Sequence, residues 1–306
     1  MTAVRQWAPR RTLHDAAGRT GDISVTEWIE TYRGVVSAWE CDIVEHFTIA
    51  YYFERFADAT RNFLELTGEA ETLGPAIGMA PTRLYVSFTQ ELRAGAVFHV
   101  LSAVVGVDDS SLRLGHQVVA SASLQTVSWV METLPLPAAV TPQLRRRLEA
   151  LSVTWPGPKV PPPAAATARR GALTARDRVK PRELGEGGTM ALAAHVHRFS
   201  GAGMQFLCSI GMTSDYMHQN RRGFSTLALD LTLTGVAKVG DRIDVTTAIA
   251  HLGNTSLSYV HRMRSAHGHE IASMLQTGVQ LDLDARRPAA LPPTIREAVS
   301  GLLAET

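Results

Sequence analysis

Proline placement divides this chain more sharply than any other feature. Pro135, Pro137, Pro142, Pro156, Pro158, Pro161, Pro162 and Pro163 crowd between Leu134 and Gly171, more than half of the 15 prolines in 306 residues. Proline locks φ and lacks an amide hydrogen, so Pro156-Gly157-Pro158 and Pro161-Pro162-Pro163 belong to the interior of neither strand nor helix. Within the stretch, Thr141 is placed to cap a short helix over 144–151, with Pro142 at its first position. The segment 134–171 therefore reads as a connector lying along the surface. It separates arms of similar size, 23–133 and 172–284, and leaves 285–306 as a C-terminal tail or helix.

The two arms carry a repeat. When Arg198 is laid on Arg55, Phe199 falls on Phe56, Ala202 on Ala59, Phe206-Leu207 on Phe63-Leu64 and Gly211 on Gly68. Further along, Gly240 answers Gly95, Val245 answers Val100, Ser256-Leu257 answer Ser111-Leu112, and His261 answers His116. A third block sets Leu275-Gln276-Thr277 on Leu124-Gln125-Thr126, and the growing spacing predicts small loop insertions in the second arm.

Apolar spacing gives both arms the same elements. Phe53, Phe56, Ala57, Phe63 and Leu64 recur at helical intervals, predicting a helix over 49–66 stopped at Gly68, and its counterpart runs over 190–210 to Gly211. Alternating, β-branched segments predict strands at 31–39, 84–92, 97–107, 112–120 and 124–132. The second arm repeats them at 172–179, 225–233, 242–252, 256–265 and 270–283. Each arm is thus β-α-β-β-β-β: an antiparallel sheet that must bury one long apolar helix against a face. Such sheets leave open edges, which two copies hide by pairing into one continuous sheet.

Composition narrows the function. Thirty Lys+Arg against 29 Asp+Glu leave a formal charge of +1, with no cationic face concentrated enough for nucleic acid. Cys41 and Cys208 make no disulfide framework, no apolar run approaches a membrane span, and the first residues contain no signal-peptide core. The expectation is a cytoplasmic protein without nucleic-acid or membrane partners. No metal is expected, because His195 and His197 stand two apart on a helix and His267-Gly268-His269-Glu270 lacks a further histidine at helical spacing. No nucleotide-binding glycine motif is present.

The segment Trp39-Glu40-Cys41-Asp42-Ile43-Val44-Glu45-His46-Phe47-Thr48-Ile49-Ala50-Tyr51-Tyr52-Phe53 resembles the acyl-CoA thioesterases of the 4-hydroxybenzoyl-CoA type. Their motif has an Asp after the first strand, a Gly-His or similar pair, a small polar residue, and Tyr/Phe leading into the helix. Val239-Gly240-Asp241-Arg242-Ile243-Asp244-Val245 and Leu252-Gly253-Asn254-Thr255-Ser256 are similar to the middle strands of the same superfamily. The resemblance implies an α+β tandem (double) hotdog, each domain a curved antiparallel sheet wrapped around a central helix. It also implies a thioester hydrolase with one active site per chain, between the domains. Glu45 departs from the usual glycine, and Thr48 from the usual asparagine.

In the resembled family the residue matching Asp42 is nucleophile or general base, and a helix N-cap is its other ordinary use. Glu45 and His46 are candidates to position water or thioester, or else belong to a solvated turn. Thr48 and Tyr51 are candidates for substrate contact, against readings as helix cap and core aromatic. In the second arm Gly185 stands at the place of Asp42, Gly188 at that of Glu45 and Thr189 at that of His46, so one arm keeps the chemistry and the other supplies a wall. Gly185 to Thr189, or the turn Asn220-Arg221-Arg222-Gly223, is expected to face Asp42, with backbone N–H groups as oxyanion donors. Arg221 and Arg222 are candidates for the coenzyme A phosphates, and Asn254, Thr255 and Ser256 for the pantetheine path. Each of these turns has an ordinary structural reading beside the functional one. Coenzyme A enters only as part of the substrate, no separate cofactor is expected, and further homo-oligomerisation is open. The alternatives are a non-catalytic acyl-CoA or small-ligand binding protein and a hotdog dehydratase or hydratase, the latter from His46-Phe47.

Overall fold

The computed structural model describes residues 28–77, 82–136, 140–163, 171–185 and 187–304; the start of the first arm at 23–27, parts of the connector at 137–139 and 164–170, turn position 186 and the end of the tail at 305–306 lie outside the described residues. The first arm runs β1 (Ile29–Val35), α1 (Ile49–Leu66), α2 (Ala70–Ile77), β2 (Arg83–Phe88), β3 (Val97–Val107), β4 (Ser111–Ala120) and β5 (Thr126–Pro135). After α3 (Pro142–Ala150), the second runs β6 (Ala172–Arg178), α4 (Leu192–Ser209), α5 (Ser214–Gln219), β7 (Arg222–Leu233), β8 (Arg242–Leu252), β9 (Ser256–Ser265) and β10 (Glu270–Asp282). β11 (Arg287–Pro288) and α6 (Pro293–Ala304) complete the chain. This is a tandem hotdog of class α+β.

α1 forms because its apolar positions make one stripe. Phe53, Phe56, Ala59 and Phe63 are all buried, while Glu54, Arg61 and Glu65 face outward. Each buried phenyl ring contributes about 1.5–3 kcal/mol. α4 repeats the pattern with Val196, Phe199, Ala202 and Phe206, and the two helices pack on one another. A 3-10 turn leads into each helix and is tied to it in the same way. Arg55 donates to Glu40, whose other oxygen accepts Ser37 N at 2.8 Å; Arg198 Nε donates to Glu183 at 2.7 Å, and Glu183 accepts Lys180 N at 2.7 Å.

The strands form one sheet in the order β1-β3-β4-β5-β2-β7-β10-β9-β8-β6. Its middle is the antiparallel pairing of β2 with β7, Val86 opposite Leu229, which joins the arms. Arg83 crosses this seam, donating from Nε and Nη2 to both carboxylate oxygens of Asp230 at 2.8 Å, and from Nη2 to the carbonyl of Pro161. The described part of the connector runs along the first arm, with Ser152 bridging Val104 of β3. Trp155 packs against Trp28 and Trp129, where a Cβ on Gly115 would lie only 2.7 Å from the Trp155 ring.

The structure corrects one part of the repeat. His116 pairs with Val130 and His261 with Met274, so Val130 answers Met274, Glu132 answers Gln276 and Leu124 answers Gly268. The third block, Leu124-Gln125-Thr126 on Leu275-Gln276-Thr277, is out of register, and the insertions inferred from it do not exist. Leu124 is not strand: with φ +59° it occupies the left-handed turn position that Gly268 occupies at +84°. The short α5 and β11 escape sequence reading because neither spans enough residues to show a period.

Breaking the seam pair should cost stability. R83M leaves the Asp230 carboxylate, 5 % exposed, without its partner, and the unfolding free energy is expected to fall by about 2–4 kcal/mol in urea denaturation. The double variant R83M/D230L should recover most of that loss, because no buried charge then remains unpaired.

Candidate active site

The turn 42–46 owes its shape to Asp42. Its Oδ1 accepts Val44 N at 2.9 Å and His46 N at 3.0 Å, its own N–H donates to the His46 carbonyl at 2.8 Å, and Cys41 bridges Phe47. Glu45 sits at φ +65°, a left-handed position that explains why glycine is the usual occupant. The second arm repeats this backbone without the carboxylate. Gly185 N donates to the Thr189 carbonyl at 2.9 Å, Leu184 bridges Met190, and Gly188 takes φ +69°. The turn is therefore scaffold in both arms, and only the first arm has a carboxylate at its first position, where the second has Gly185.

That acid lines a cleft of about 740 Å³, a volume suited to a small-molecule ligand. One wall comes from the first arm: Asp42 to Val44, His46 to Ile49, Tyr52 and Phe88 to Arg93. The other comes from the second arm, with Ser200, Gly203, Met204 and Leu207 of α4, Phe224 to Leu227 of β7, and Tyr259 and Gln276 of the sheet. Asp42 and Ile43 are exposed at the mouth; Gly203, Tyr259 and Gln276 are buried at the floor. α1 points its N-terminus at the same space. Thr48 is the N-cap but its hydroxyl makes no cap bond, and Ile49, at the first helical position, lines the cleft. The first amides of a helix have no partner within it, so this end offers N–H donors and the positive end of the helix dipole.

In the same wall as Asp42 stands a trio, His46, Glu91 and Arg286, of which sequence reading named only His46. His46 is 7 % exposed, and its Nε2 stands 2.9 Å from Glu91 Oε2, an ion-pair approach rather than an aligned hydrogen bond. The same Glu91 oxygen accepts Arg286 Nη2 at 2.5 Å, a contact from the second arm to the first. The His46 ring, then the charges of Arg286 and Arg93, hold the Glu91 carboxyl below the usual glutamate range against the opposing effect of burial. The repeat contained a signal for this group. Phe47 N donates to the Leu92 carbonyl just as Met190 N donates to the Ala237 carbonyl, which lays Glu91 on the apolar Val236.

The other expected site residues are distributed as follows. Thr48 lines the cleft; Glu45 does not, its side chain being 83 % exposed and 3.6 Å from Arg93. Tyr51 turns away to pack edge-on against His197, and its neighbour Tyr52 lines the cleft instead. Gly185 and Thr189 lie outside the cleft lining, so the expectation that they face Asp42 fails: they occupy the equivalent turn of the other arm. Gly223 does approach the Asp42 turn, since a Cβ there would stand 3.2 Å from Val44. Asn220 ends α5, while Arg221 is paired with Asp284 and Arg222 with Asp282, all outside the cleft lining. Asn254, Thr255 and Ser256 form the β8–β9 connection, whose Asn254 and Thr255 carbonyls accept Leu291 N and Gln280 N, also away from the cleft.

The depressed Glu91 pKa has a measurable sign. A carboxyl with a lowered folded-state pKa adds stability above its unfolded value, and that stability is lost as pH falls through the folded value. Wild type should therefore exceed E91Q in stability at neutral pH, with the gap closing on acidification below the ordinary glutamate range. Carboxyl chemical shifts should place the Glu91 titration below 4.5, and higher in R286M than in wild type.

Comparison with known proteins fits this geometry. The model of the thioesterase-like superfamily matches residues 36–148 and 179–299, one segment in each arm and more than half of the chain together. Among curated proteins none matches by sequence. Among solved structures, an acyl-ACP thioesterase from Bacteroides thetaiotaomicron superposes with a TM-score of 0.63 at 9% identity, covering 81% of this chain and 96% of its own. A 12:0-ACP thioesterase from Umbellularia californica does so with a TM-score of 0.58 at 9% identity, covering 82% and 93%. At such identities the likeness is one of fold, and the family match carries the assignment. No helix among the described residues is long and apolar enough to cross a membrane. This chain belongs to the thioesterase-like superfamily, as a thioester hydrolase of tandem hotdog architecture.

Proposed function

We propose that the chain hydrolyses an acyl-CoA in the cleft between its arms, with Asp42 as the reacting carboxylate. The observation that carries this reading is the placement of Asp42: only one copy of the duplicated turn has a carboxylate at this position, and it lines a cleft at the N-terminus of α1. Oδ1 is occupied in holding the turn, which leaves Oδ2 to attack the thioester carbonyl or to take a proton from water. A carbonyl oxygen directed at the first amides of α1 would meet donors as its charge develops. Glu91 holds His46 in the adjoining wall and is itself held by Arg286, so this side of the site is set by contacts from both arms.

Arg93 and Arg286 line the mouth and are each 44% exposed on their side chains. They are better placed for the phosphates of coenzyme A than Arg221 and Arg222, because they line the cleft and Arg221 and Arg222 do not. A carrier-protein thioester would use the same chemistry, and its hydrolysis in preference to acyl-CoA would redirect the substrate without moving the site.

Asn at position 42 retains an oxygen for Val44 N and His46 N, so D42N separates chemistry from turn structure. It is expected to keep the melting temperature of wild type while free-thiol release from the best acyl-CoA falls by about 10²- to 10⁴-fold. Unchanged turnover would remove Asp42 from the mechanism, and retained acyl-CoA binding with no hydrolysis by wild type would favour a binding protein. R93M is expected to raise KM several-fold for an acyl-CoA and to leave KM for the matching N-acetylcysteamine thioester, which lacks the phosphates, unchanged.

A further inference from the structure

Both arms bury a histidine on the sheet beneath their helix, and both hold one edge of its ring in the same way. His116 Nδ1 stands 2.7 Å from Ser102 Oγ, which is 2.6 Å from Thr31 Oγ1; His261 Nδ1 stands 2.7 Å from Thr247 Oγ1, which is 2.7 Å from Thr174 Oγ1. A phenyl ring stacks on each, Phe56 at 8° and Phe199 at 14° between planes.

The opposite edges differ. In the first arm His116 Nε2 meets Thr60 Oγ1 at 3.3 Å and Glu132 Oε2 at 3.4 Å, and Thr60 donates to Glu132 at 2.6 Å. In the second arm Gly203 replaces Thr60 and Gln276 replaces Glu132. His261 Nε2 and Gln276 Oε1 are buried there with no protein partner, although Gln276 Nε2 donates to Thr226 at 2.8 Å. A Cβ built on Gly203 would be 3.7 Å from His261 Nε2 and 3.4 Å from the Tyr259 hydroxyl, so Gly203 brings no side chain to a place where one would fit. Gly203, Tyr259 and Gln276 form the buried floor of the cleft that Asp42 lines at its mouth, and His261, itself outside the lining, adjoins it at Gly203. Buried polar atoms ordinarily have partners, and the first arm identifies the one missing here as a hydroxyl.

We infer that the floor of this cleft is a subsite for a hydroxyl group carried by the acyl chain, bound between His261 and Gln276, so that the substrate class is a hydroxyacyl thioester. The inference rests on the assignment of the cleft as the thioesterase site and adds what the acyl group must carry. Burial pushes the His261 pKa down to about 3, so the ring is neutral at physiological pH, and Gln276 is uncharged. The pair therefore suits a neutral group rather than a carboxylate. A keto oxygen only accepts and leaves Gln276 Oε1 unmet; a hydroxyl accepts from His261 Nε2–H and donates its one proton to Gln276 Oε1, so it satisfies both groups with His261 protonated on Nε2 and Nδ1 accepting from Thr247.

The test uses matched straight-chain acyl-CoAs, with and without one hydroxyl placed at successive carbons, assayed by thiol release. Wild type is expected to favour the hydroxylated member at one chain position by about tenfold in kcat/KM, the size of effect produced by one buried hydrogen bond. G203T supplies the first arm's own hydroxyl and should abolish the preference within that pair; G203A, a smaller change, should narrow the ratio of kcat/KM between the two members. Equal turnover of every pair by wild type would overturn the subsite while leaving the thioesterase assignment intact. If no thioester is hydrolysed, calorimetry with the free hydroxy and deoxy acids decides the subsite separately. A tenfold difference in Kd that G203T abolishes supports it, and equal or absent binding overturns it.

Discussion

The pairing of β2 with β7 is the constraint on which the rest of this molecule depends. Without it the chain is two sheets, each with an open edge and each arm holding half of a cleft. With it, backbone hydrogen bonds fix the two arms in one register, and Arg83 with Asp230 closes the seam by a paired, largely desolvated contact. The Asp42 turn then stands across from α4 and the start of β7. Gly223 approaches Val44 closely enough that a larger residue would displace one or the other. The site is a consequence of sheet continuity rather than of either domain alone.

Duplication made the divergence of the arms readable at single residues. The two copies preserve the groups that build the fold: Glu40 with Arg55 and Glu183 with Arg198, the left-handed residue of the turn, and the hydroxyl–hydroxyl–histidine relays. They differ where a ligand would be. The first arm has Asp42, His46 and Glu91 where the second has Gly185, Thr189 and Val236. Beneath the helices the asymmetry reverses, with Thr60 and Glu132 filling the first arm and Gly203 opening the second. One arm brings titratable groups to the cleft and the other leaves room in it.

Much of this was legible in the sequence because local rules dominate there. The stripe of phenylalanines marked α1 at its observed bounds, the prolines marked the connector, and Asp42 stood out once the arms were laid together. The same comparison misplaced its third block, because a three-residue match of Leu-Gln-Thr outweighed the pairing register that only hydrogen bonds reveal. Arg221 and Arg222 looked like phosphate ligands because their aspartate partners lie some sixty residues on, at Asp284 and Asp282, where no local pattern links them.

By itself the sequence determined the duplicated α+β plan, the long helix and main strands of each arm, and the presence of an acid at the Asp42 position in one arm only, since these follow from periodicity, proline geometry and residue identity within a few turns of chain. Only the tertiary structure decided that His46, Glu91 and Arg286 converge, that Tyr52 rather than Tyr51 faces the cleft, and that His261 Nε2 and Gln276 Oε1 are left without protein partners. Those contacts join residues from different strands and different arms, and their distances are set by the register of the sheet and the packing of α1 on α4, neither of which any short stretch of sequence encodes.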